Sequence, residues 1–566
     1  MKPTQPTNFG ITSSALSRLF SYFALRGETS APSHPCDRGG IVHPEHNVRK
    51  RLVTASGLRI MQAMSLDPQT PQADVYYLAL TARDARFDGC FFIGVTSTGI
   101  YCRPVCKVRT PKRENCRFYV HAAQAESAGF RPCLRCRPEL APNALVWSTQ
   151  DASTILAQQA ARLLDAPQNW DKAAPSVQKL AEKLGVTDRH VRRIFEAQFG
   201  VTPMQYLQTR RLLTAKQLLA DTNLPITQIA LISGYSSVRR FNAAFAQHYK
   251  LNPTQLRRDG ADRKNDGGTL VRLGYRPPYD VSAMLGFLQT RRIHDVEFAS
   301  SAADDLRVGR TLRLESGGKT VSGWLMASFD PTQHQVLLRV SDSLRSVLPT
   351  VIMKLRAALD LDANPQTINA VLHDSFPDGD GLRVPGTMDG YELAVRAVLG
   401  QQITVAAART LAQRIVDKFG EPIETPYSEL TRLFPAPAVL AKAEGDALGQ
   451  LGIVKQRQAA IVGIARAVAE KRLALHSGVD VQETITALKE LPGIGDWTAQ
   501  YIAMRALRWP DAFPAGDIAL HKALQVQEEK NPTRAAEAAS QIWKPWRSYA
   551  VIRAWSTLNV TKKEPS

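Results

Sequence analysis

The clearest periodicity in the chain lies at 176–200, SVQKLAEKLGVTDRHVRRIFEAQFG. Val177, Leu180, Ala181 and Leu184 recur at helical spacing, and Val191, Ile194 and Phe195 do so again beyond Gly185. The glycine supplies a turn between two helices, with Thr187 or Asp188 capping the second. Arg189, His190, Arg192 and Arg193 fall on the outward face. The plan repeats at 226–249, ITQIALISGYSSVRRFNAAFAQHY, with Gly234 as the turn and Ser236, Ser237, Arg239 and Arg240 outward. A linking helix is predicted from about Pro203 to Ala220. From 270 to about 345 the period shortens to two: strand-like stretches such as QVLLRV alternate with polar turns, around one helix near AMLGFLQTRR. From about 346 to 560 the pattern is helical again. Residues 1–70 are rich in Ser, Pro and Arg without sustained period, and read as a disordered extension. The tract RRDGADRKNDGG at 257–268 is too charged and glycine-rich to be core, and reads as a linker.

A chain of 566 residues is too long for one core, so several domains are expected. Its net charge of +19 calls for a polyanionic partner, nucleic acid before a membrane surface. No apolar run approaches the roughly 18 residues of a spanning helix. The N-terminus lacks a compact apolar stretch with a small-residue cleavage site, so secretion is not expected. The seven cysteines are 36, 90, 102, 106, 116, 133 and 136, too sparse for a disulfide scaffold. A reducing, cytoplasmic setting is expected.

Four of these cysteines are paired as Cys102-x3-Cys106 and, 26 residues on, Cys133-x2-Cys136. Two close pairs can close a tetrahedral site around one ion, which favours one structural zinc over disulfides. Iron–sulfur ligation is the alternative, although no familiar ferredoxin spacing is present. Cys36, Cys90 and Cys116 read as ordinary thiols. The surrounding segment 83–138 holds 11 Lys/Arg against 4 Asp/Glu.

The text FDGCFFIGVTSTGIYCRPVC, followed by AGFRPCLRC, resembles the amino-terminal zinc domain of Ada, the bacterial alkylation-response regulator. The resemblance implies that Cys102, Cys106, Cys133 and Cys136 all bind zinc. It further implies that Cys102 accepts a methyl group from a DNA methylphosphotriester. Zinc keeps a thiol as thiolate at neutral pH, and Arg103, Arg109, Arg131, Arg135 and Arg137 lie close enough in sequence to hold a phosphate backbone. Methylation would take the site's formal charge from −2 to −1 for four thiolates on one zinc, which would favour DNA. The tandem helix pairs, with Gly234 following Gly185 by 49 residues, resemble the AraC DNA-binding domain. Arg189, Arg192, Arg193, Arg239 and Arg240 then become candidates for major-groove contact.

Residues 489–504 read KELPGIGDWTAQYIAM. The glycines Gly493 and Gly495 let a backbone approach closely, and the helix that follows begins with free amides suited to a phosphate. Further on, FPAGDIALHKAL puts Asp517 at the head of a helix, where alone it would read as an N-cap. A hairpin followed by an Asp-led helix resembles the HhH-GPD glycosylases. YRPPYDVSAMLGFL, LRVPGTMDGYELAVRAVLGQQ and WKPWRSYAVIRAW resemble the AlkA type in particular, over about 274–560. This implies Asp517 as the essential acid and Trp497, Tyr501 and Trp555 as walls of a base pocket. Trp497 stands where related glycosylase-lyases carry lysine, so lyase chemistry is not expected. Gln402 stands where the AlkA prototype has an apolar wedge, which leaves open what fills the DNA gap. No Pro-Cys-His-Arg motif occurs, so repair of O6-methylguanine is not expected.

The expected fold is multidomain, mainly α with α+β parts. It comprises an extension at 1–70, a small zinc-binding α/β domain at 75–145 and an all-α double helix-turn-helix at 153–260. A linker at 261–271, an α+β AlkA-like subdomain at 272–385 and an all-α HhH-GPD domain at 386–560 complete it. The implied partners are double-stranded DNA, alkylated DNA, a promoter site and RNA polymerase, with no membrane. The implied state is a monomer at the bacterial nucleoid, with a monovalent cation at the hairpin beside the zinc. The expected function is excision of alkylated bases such as 3-methyladenine, fused to damage-sensing transcription control. The rival is a regulator whose glycosylase half only holds DNA.

Overall fold

The computed structural model describes residues 70–143, 152–165, 175–258, 267–316, 318–443 and 446–560. The expected extension at 1–70, Thr70 apart, lies outside the described residues. Thr70 caps the helix Pro71–Ala82 with its hydroxyl. That helix stacks Tyr76 on Phe91 at 4.0 Å between ring centroids. Behind it, Phe91, Ile93 and Phe118 are fully buried on a four-stranded sheet of order β3-β1-β2-β4. Its strands are β1 Phe92–Val95, β2 Ile100–Cys102, β3 Cys116–Tyr119 and β4 Arg131–Pro132. β4 runs parallel to β2, pairing Tyr101 with Pro132, so each strand delivers the first cysteine of a pair to the same end of the sheet.

The periodic stretches fold as two helix pairs. In the first, Val177–Leu184 ends at Gly185 with φ 66°, and Thr187 accepts the His190 amide to start Asp188–Phe199. In the second, Ile226–Ile232 is followed by Gly234 at φ +85°, and Ser237 accepts the Arg240 amide to start Val238–Tyr249. Pro203–Asp221 links them, opened by a capping box between Thr202 and Gln205. The two pairs bury their apolar faces differently. Leu180, Val191 and Phe195 of the first form a core with Ala157, Ala160 and Leu164 of the helix Ala152–Asp165. Phe241 and Phe245 of the second, with Leu212 and Leu218, belong to a core continuous with Val271, Leu325 and Leu338 of the next sheet.

That sheet is antiparallel throughout, in the order β5-β9-β8-β7-β6. Its strands are β5 Thr269–Gly274, β6 Glu297–Ala302, β7 Asp305–Ser316, β8 Lys319–Asp330 and β9 Gln335–Val340. One expected boundary is corrected here. Residues 269–271, read from sequence as linker, pair with Val340, Arg339 and Leu338. Val271 is fully buried, so the strand starts directly after Gly267 and Gly268. The charged tract before them hid the alternation. The helix Val281–Arg291 flanks the sheet.

The remaining helices surround Gly390–Leu399, whose Ala394, Val395, Val398 and Leu399 are fully buried. Lys455–Ala469 and Asp496–Arg505 pack on it through Ile461, Ile464 and Ile502. Among the described residues, no helix is long and apolar enough to cross a membrane.

Candidate functional site

Cys102 ends β2, and Cys133 follows β4 directly. The sulfurs of Cys102, Cys106, Cys133 and Cys136 all lie within 4.8 Å of one another. Four soft donors gathered this closely fit one tetrahedral zinc. The Arg103 amide donates to Cys136 Sγ at 3.4 Å, the kind of outer contact that orients a ligand. The hydrogen bonds among the four sulfurs split their titration, holding Cys106, at about 7, and Cys133 below the ordinary thiol range and pushing Cys102 and Cys136 above it. The first three cysteines are buried and Cys136 is half-buried.

The five flanking arginines divide sharply. Arg109 and Arg135 are exposed, and Arg131 is half-buried. Arg103 and Arg137 turn inward. Arg103 is 7% exposed and pairs through Nε and Nη2 with the Asp88 carboxylate. Arg137 pairs with Glu139 at 2.9 Å and with Asp221 at 2.8 Å. The sequence reading that gave all five to a DNA backbone is corrected for these two, because their charges are already neutralised inside the chain. On the helix pairs, Arg189, Arg192, Arg193, Arg239 and Arg240 are all exposed. Arg193 Nη2 contacts His190 Nδ1 at 3.1 Å, one turn back on the same helix.

The second centre is built around Asp517. Its Oδ1 accepts the Leu520 amide at 2.8 Å and caps the helix Ile518–Ala523. The same oxygen accepts Trp555 Nε1 at 3.0 Å, and Oδ2 accepts Trp497 Nε1 at 2.9 Å. The cap and the pocket are therefore not alternatives: three N–H donors fix one carboxylate. Trp497 stacks on Tyr501 with centroids 5.3 Å apart and planes at 13°, and Trp555 tilts toward Tyr501 at 6.4 Å. All three rings and Asp517 are half-buried, so the group opens to solvent on one side.

Behind the rings stands Arg505, one helical turn beyond Tyr501. It donates Nη1 to the Tyr501 hydroxyl at 2.6 Å, and Nε and Nη2 to the Pro385 and Gly386 carbonyls. Its guanidinium also lies 5.0 Å from the Phe287 ring centre. Burial pushes the Tyr501 phenol up, but Arg505, Arg291 and Arg396 outweigh it and leave the group below its usual range.

Beside this pocket the hairpin joins Val481–Lys489 to Asp496–Arg505. Gly493 sits at φ +81°, where a Cβ would press on Ala460. Gln401 donates Nε2 to the Gly493 carbonyl at 2.9 Å and to Thr498 Oγ1 at 3.0 Å. Its neighbour Gln402 is exposed, in a left-handed conformation at φ 55°. One glutamine ties the loop to the hairpin and the next projects from it.

Four family models match successive parts of the chain. They describe the metal binding domain of Ada at 75–139, a helix-turn-helix domain at 180–259, the AlkA N-terminal domain at 270–389 and the HhH-GPD superfamily of base excision DNA repair proteins at 395–548. A probable bifunctional transcriptional activator/DNA repair enzyme AlkA of Mycobacterium tuberculosis is 37% identical over 494 residues, 85% of this chain and 96% of that one. The chain belongs to this family. The DNA-3-methyladenine glycosylase 2 of Escherichia coli is 34% identical over 287 residues, 50% of this chain and 96% of the relative. The Escherichia coli bifunctional transcriptional activator/DNA repair enzyme Ada is 32% identical over 187 residues, 33% of this chain and 49% of the relative.

As a member of the family, the chain joins a zinc-binding module and a DNA-binding helix-turn-helix region to a DNA glycosylase. The structure brings Asp517, Trp497, Tyr501 and Trp555 together, and gathers the four cysteines elsewhere. Arg505 and Phe287 were missed from sequence. Arg505 carried a signal, a charge at i+4 from a pocket tyrosine on a helix otherwise buried on that side. Phe287 lies more than 200 residues from Trp497, and nothing local marked it.

Proposed function

We propose that this chain removes alkylated purines such as 3-methyladenine from DNA through Asp517, and reports alkylation through Cys102. The observation that carries the first part is the Asp517 carboxylate held by the Trp497 and Trp555 indoles at the edge of an aromatic pocket. A purine turned out of the helix would stack against these rings, and a cationic alkylated base gains cation–π attraction there. As the N-glycosidic bond breaks, its electron pair leaves with the base and positive charge builds on the sugar. Asp517, already oriented, stabilises that charge and directs a water to C1′. Trp497 offers no amine, so the product is an intact abasic site and no Schiff base forms. Gly493 and Gly495 bring the hairpin amides to a phosphate, and exposed Gln402 enters the space beside the lesion.

At the other centre, zinc when bound holds the sulfurs as thiolates at neutral pH. Cys102 Sγ then attacks the methyl carbon of a methylphosphotriester. The carbon–oxygen bond breaks, the phosphodiester leaves with the electron pair, and the sulfur keeps the methyl as a thioether. Cys106, Cys133 and Cys136 act as ligands only. Exposed Arg109 and Arg135 hold the neighbouring phosphates, and Arg189, Arg192, Arg193, Arg239 and Arg240 read a promoter in the major groove. A monomeric state, RNA polymerase as a partner, a monovalent cation at the hairpin and a place at the bacterial nucleoid rest on the family resemblance alone.

The test is release of free base from a duplex carrying alkylated purines. Release, with an alkali-labile abasic strand and no borohydride-trapped adduct, is the expected result. Tight binding without release would make the glycosylase half a DNA-holding scaffold.

A further inference from the structure

Residues next to the cysteine ligands do not end at the surface; three buried polar struts start from them. The first starts at Tyr101, before Cys102. Its hydroxyl donates to Glu126 Oε1 at 2.9 Å, and Thr209 of the linking helix donates to Glu126 Oε2 at 2.8 Å. The second starts at Arg103, after Cys102. It pairs with Asp88, whose backbone carbonyl accepts Arg276 Nε at 2.6 Å. The third starts at Arg137, after Cys136. It pairs with Glu139, which holds Lys216 of the linking helix, and with Asp221, which holds Arg272 of β5 at 2.9 Å.

The struts are sealed over most of their length, with Arg137 and Arg272 of the third keeping 17% and 30% side-chain exposure. Side chains of Glu139, Asp221 and Lys216 are 1%, 0% and 2% exposed, and Arg276 as a residue is 0% exposed. Arg276 gives its remaining donors to the Pro142 and Asn143 carbonyls on one side, and to the Asp362 and Ala363 carbonyls on the other. Every one of these acceptors is backbone, and the buried Asp362 carboxylate, held down chiefly by Arg356 and also by Arg276, supplies counter-charge nearby. Glycines clear the way. A Cβ on Gly89 would run into the Pro142 carbonyl and Arg276, and one on Gly274 into the Leu140 carbonyl. A module hung on a flexible tether has no need of buried charge. Buried pairs are costly to break from one side, because the partner left behind is unpaired in a dry site.

We infer that the cysteine cluster is mechanically coupled to the enzyme half: the three struts transmit its state to the linking helix and to β5. The zinc module is thus a buried docking partner of its own glycosylase, and order at the cluster sets order at this junction. The inference uses the glycosylase reading only to name that half, and its test reads structure, not base release.

The test is hydrogen exchange on the full chain, zinc-loaded and after chelation under reducing conditions. Backbone amides of 205–222 and 268–276 should exchange at least about tenfold faster once zinc is removed, together with those of 90–140. Faster exchange confined to 90–140 would overturn the coupling. Arg276→Met and, at the cluster end, Arg137→Met should each keep a full zinc content yet loosen 268–276. In either variant, chelation should then add less to exchange in 268–276 than it does in the wild type. Zinc-loaded variants with unchanged exchange in 268–276 would equally overturn it. Gly89→Ala, which alters no charge, should act in the same direction as Arg276→Met. If the chain releases no base, the function proposed above fails while this exchange pattern still decides the coupling.

Discussion

The cysteine cluster and the Asp517 pocket solve one problem in two ways. On the function proposed above, each would fix a reactive group before DNA arrives. At the cluster, the groups that surround Cys102 are three more sulfurs of the same site, so the proposed reactivity and the structure would share the same atoms. At the pocket, the groups that fix Asp517 are indole N–H donors and a helix amide, and the core stands without them. The first arrangement makes every member indispensable to the fold. The second allows the chemistry to be removed while the fold remains.

Substitutions at the two centres should separate along that line. The largest effect is expected at the cluster. Cys133→Ser should lose the zinc and with it the small sheet, read by metal content and circular dichroism. Cys102→Ser should abolish methyl uptake altogether, read by mass spectrometry of the peptide after exposure to methylphosphotriester DNA. Methyl found on Cys90 or Cys116 instead would reduce the cluster to a structural knob. At the pocket, Asp517→Asn keeps the cap oxygen. It should retain melting temperature and DNA affinity while excision falls about 10² to 10³-fold, the usual result of losing a preorganised electrostatic group. Wild-type excision in that variant would leave Asp517 a cap and nothing more.

A pH titration sharpens the contrast. Glu126, beside the cluster's strand, is pushed up to about 7, chiefly by burial, with Thr209, Tyr101 and Lys216 pulling the other way. A raised folded pKa contributes stability below the unfolded value near 4.5, and that contribution is lost as pH rises through about 7. Stability should fall by on the order of 3 kcal/mol across that window. Glu126→Gln should flatten the fall, measured by denaturant unfolding at several pH values. A smaller effect is expected at Trp497→Phe. It keeps the stack on Tyr501 and removes one donor to Asp517, so excision should drop roughly tenfold to a hundredfold. An unchanged rate would assign Trp497 to stacking alone.

Much of both centres was legible because it is written locally. Two short cysteine spacings, two glycine turns in periodic stretches and the run LPGIG are each contained within a few residues. What was not legible is long-range. Arg103 and Arg137 look like surface charge beside their cysteines, and their partners Asp88 and Asp221 lie 15 and 84 residues away. A basic side chain that leaves for the interior has the same local sequence as one that stays in water. Asp517 was ambiguous for another reason: cap and acid demand the same residue at the same place, and the indole donors that support the proposed second role come from residues 20 and 38 positions away. The start of β5 was hidden because charge and glycine just before it resemble a tether.

The core shared by the second helix pair and the glycosylase sheet bears on inheritance. A cut in the segment 259–266 would part Phe241 and Phe245 from Val271 and Leu338, leaving two incomplete apolar faces, each prone to stick to whatever it meets. Regulator and enzyme in this chain are therefore not freely exchangeable cassettes. A gene rearrangement that replaced either half would have to rebuild that seam at the same time, and selection acts on the fused pair as one heritable unit.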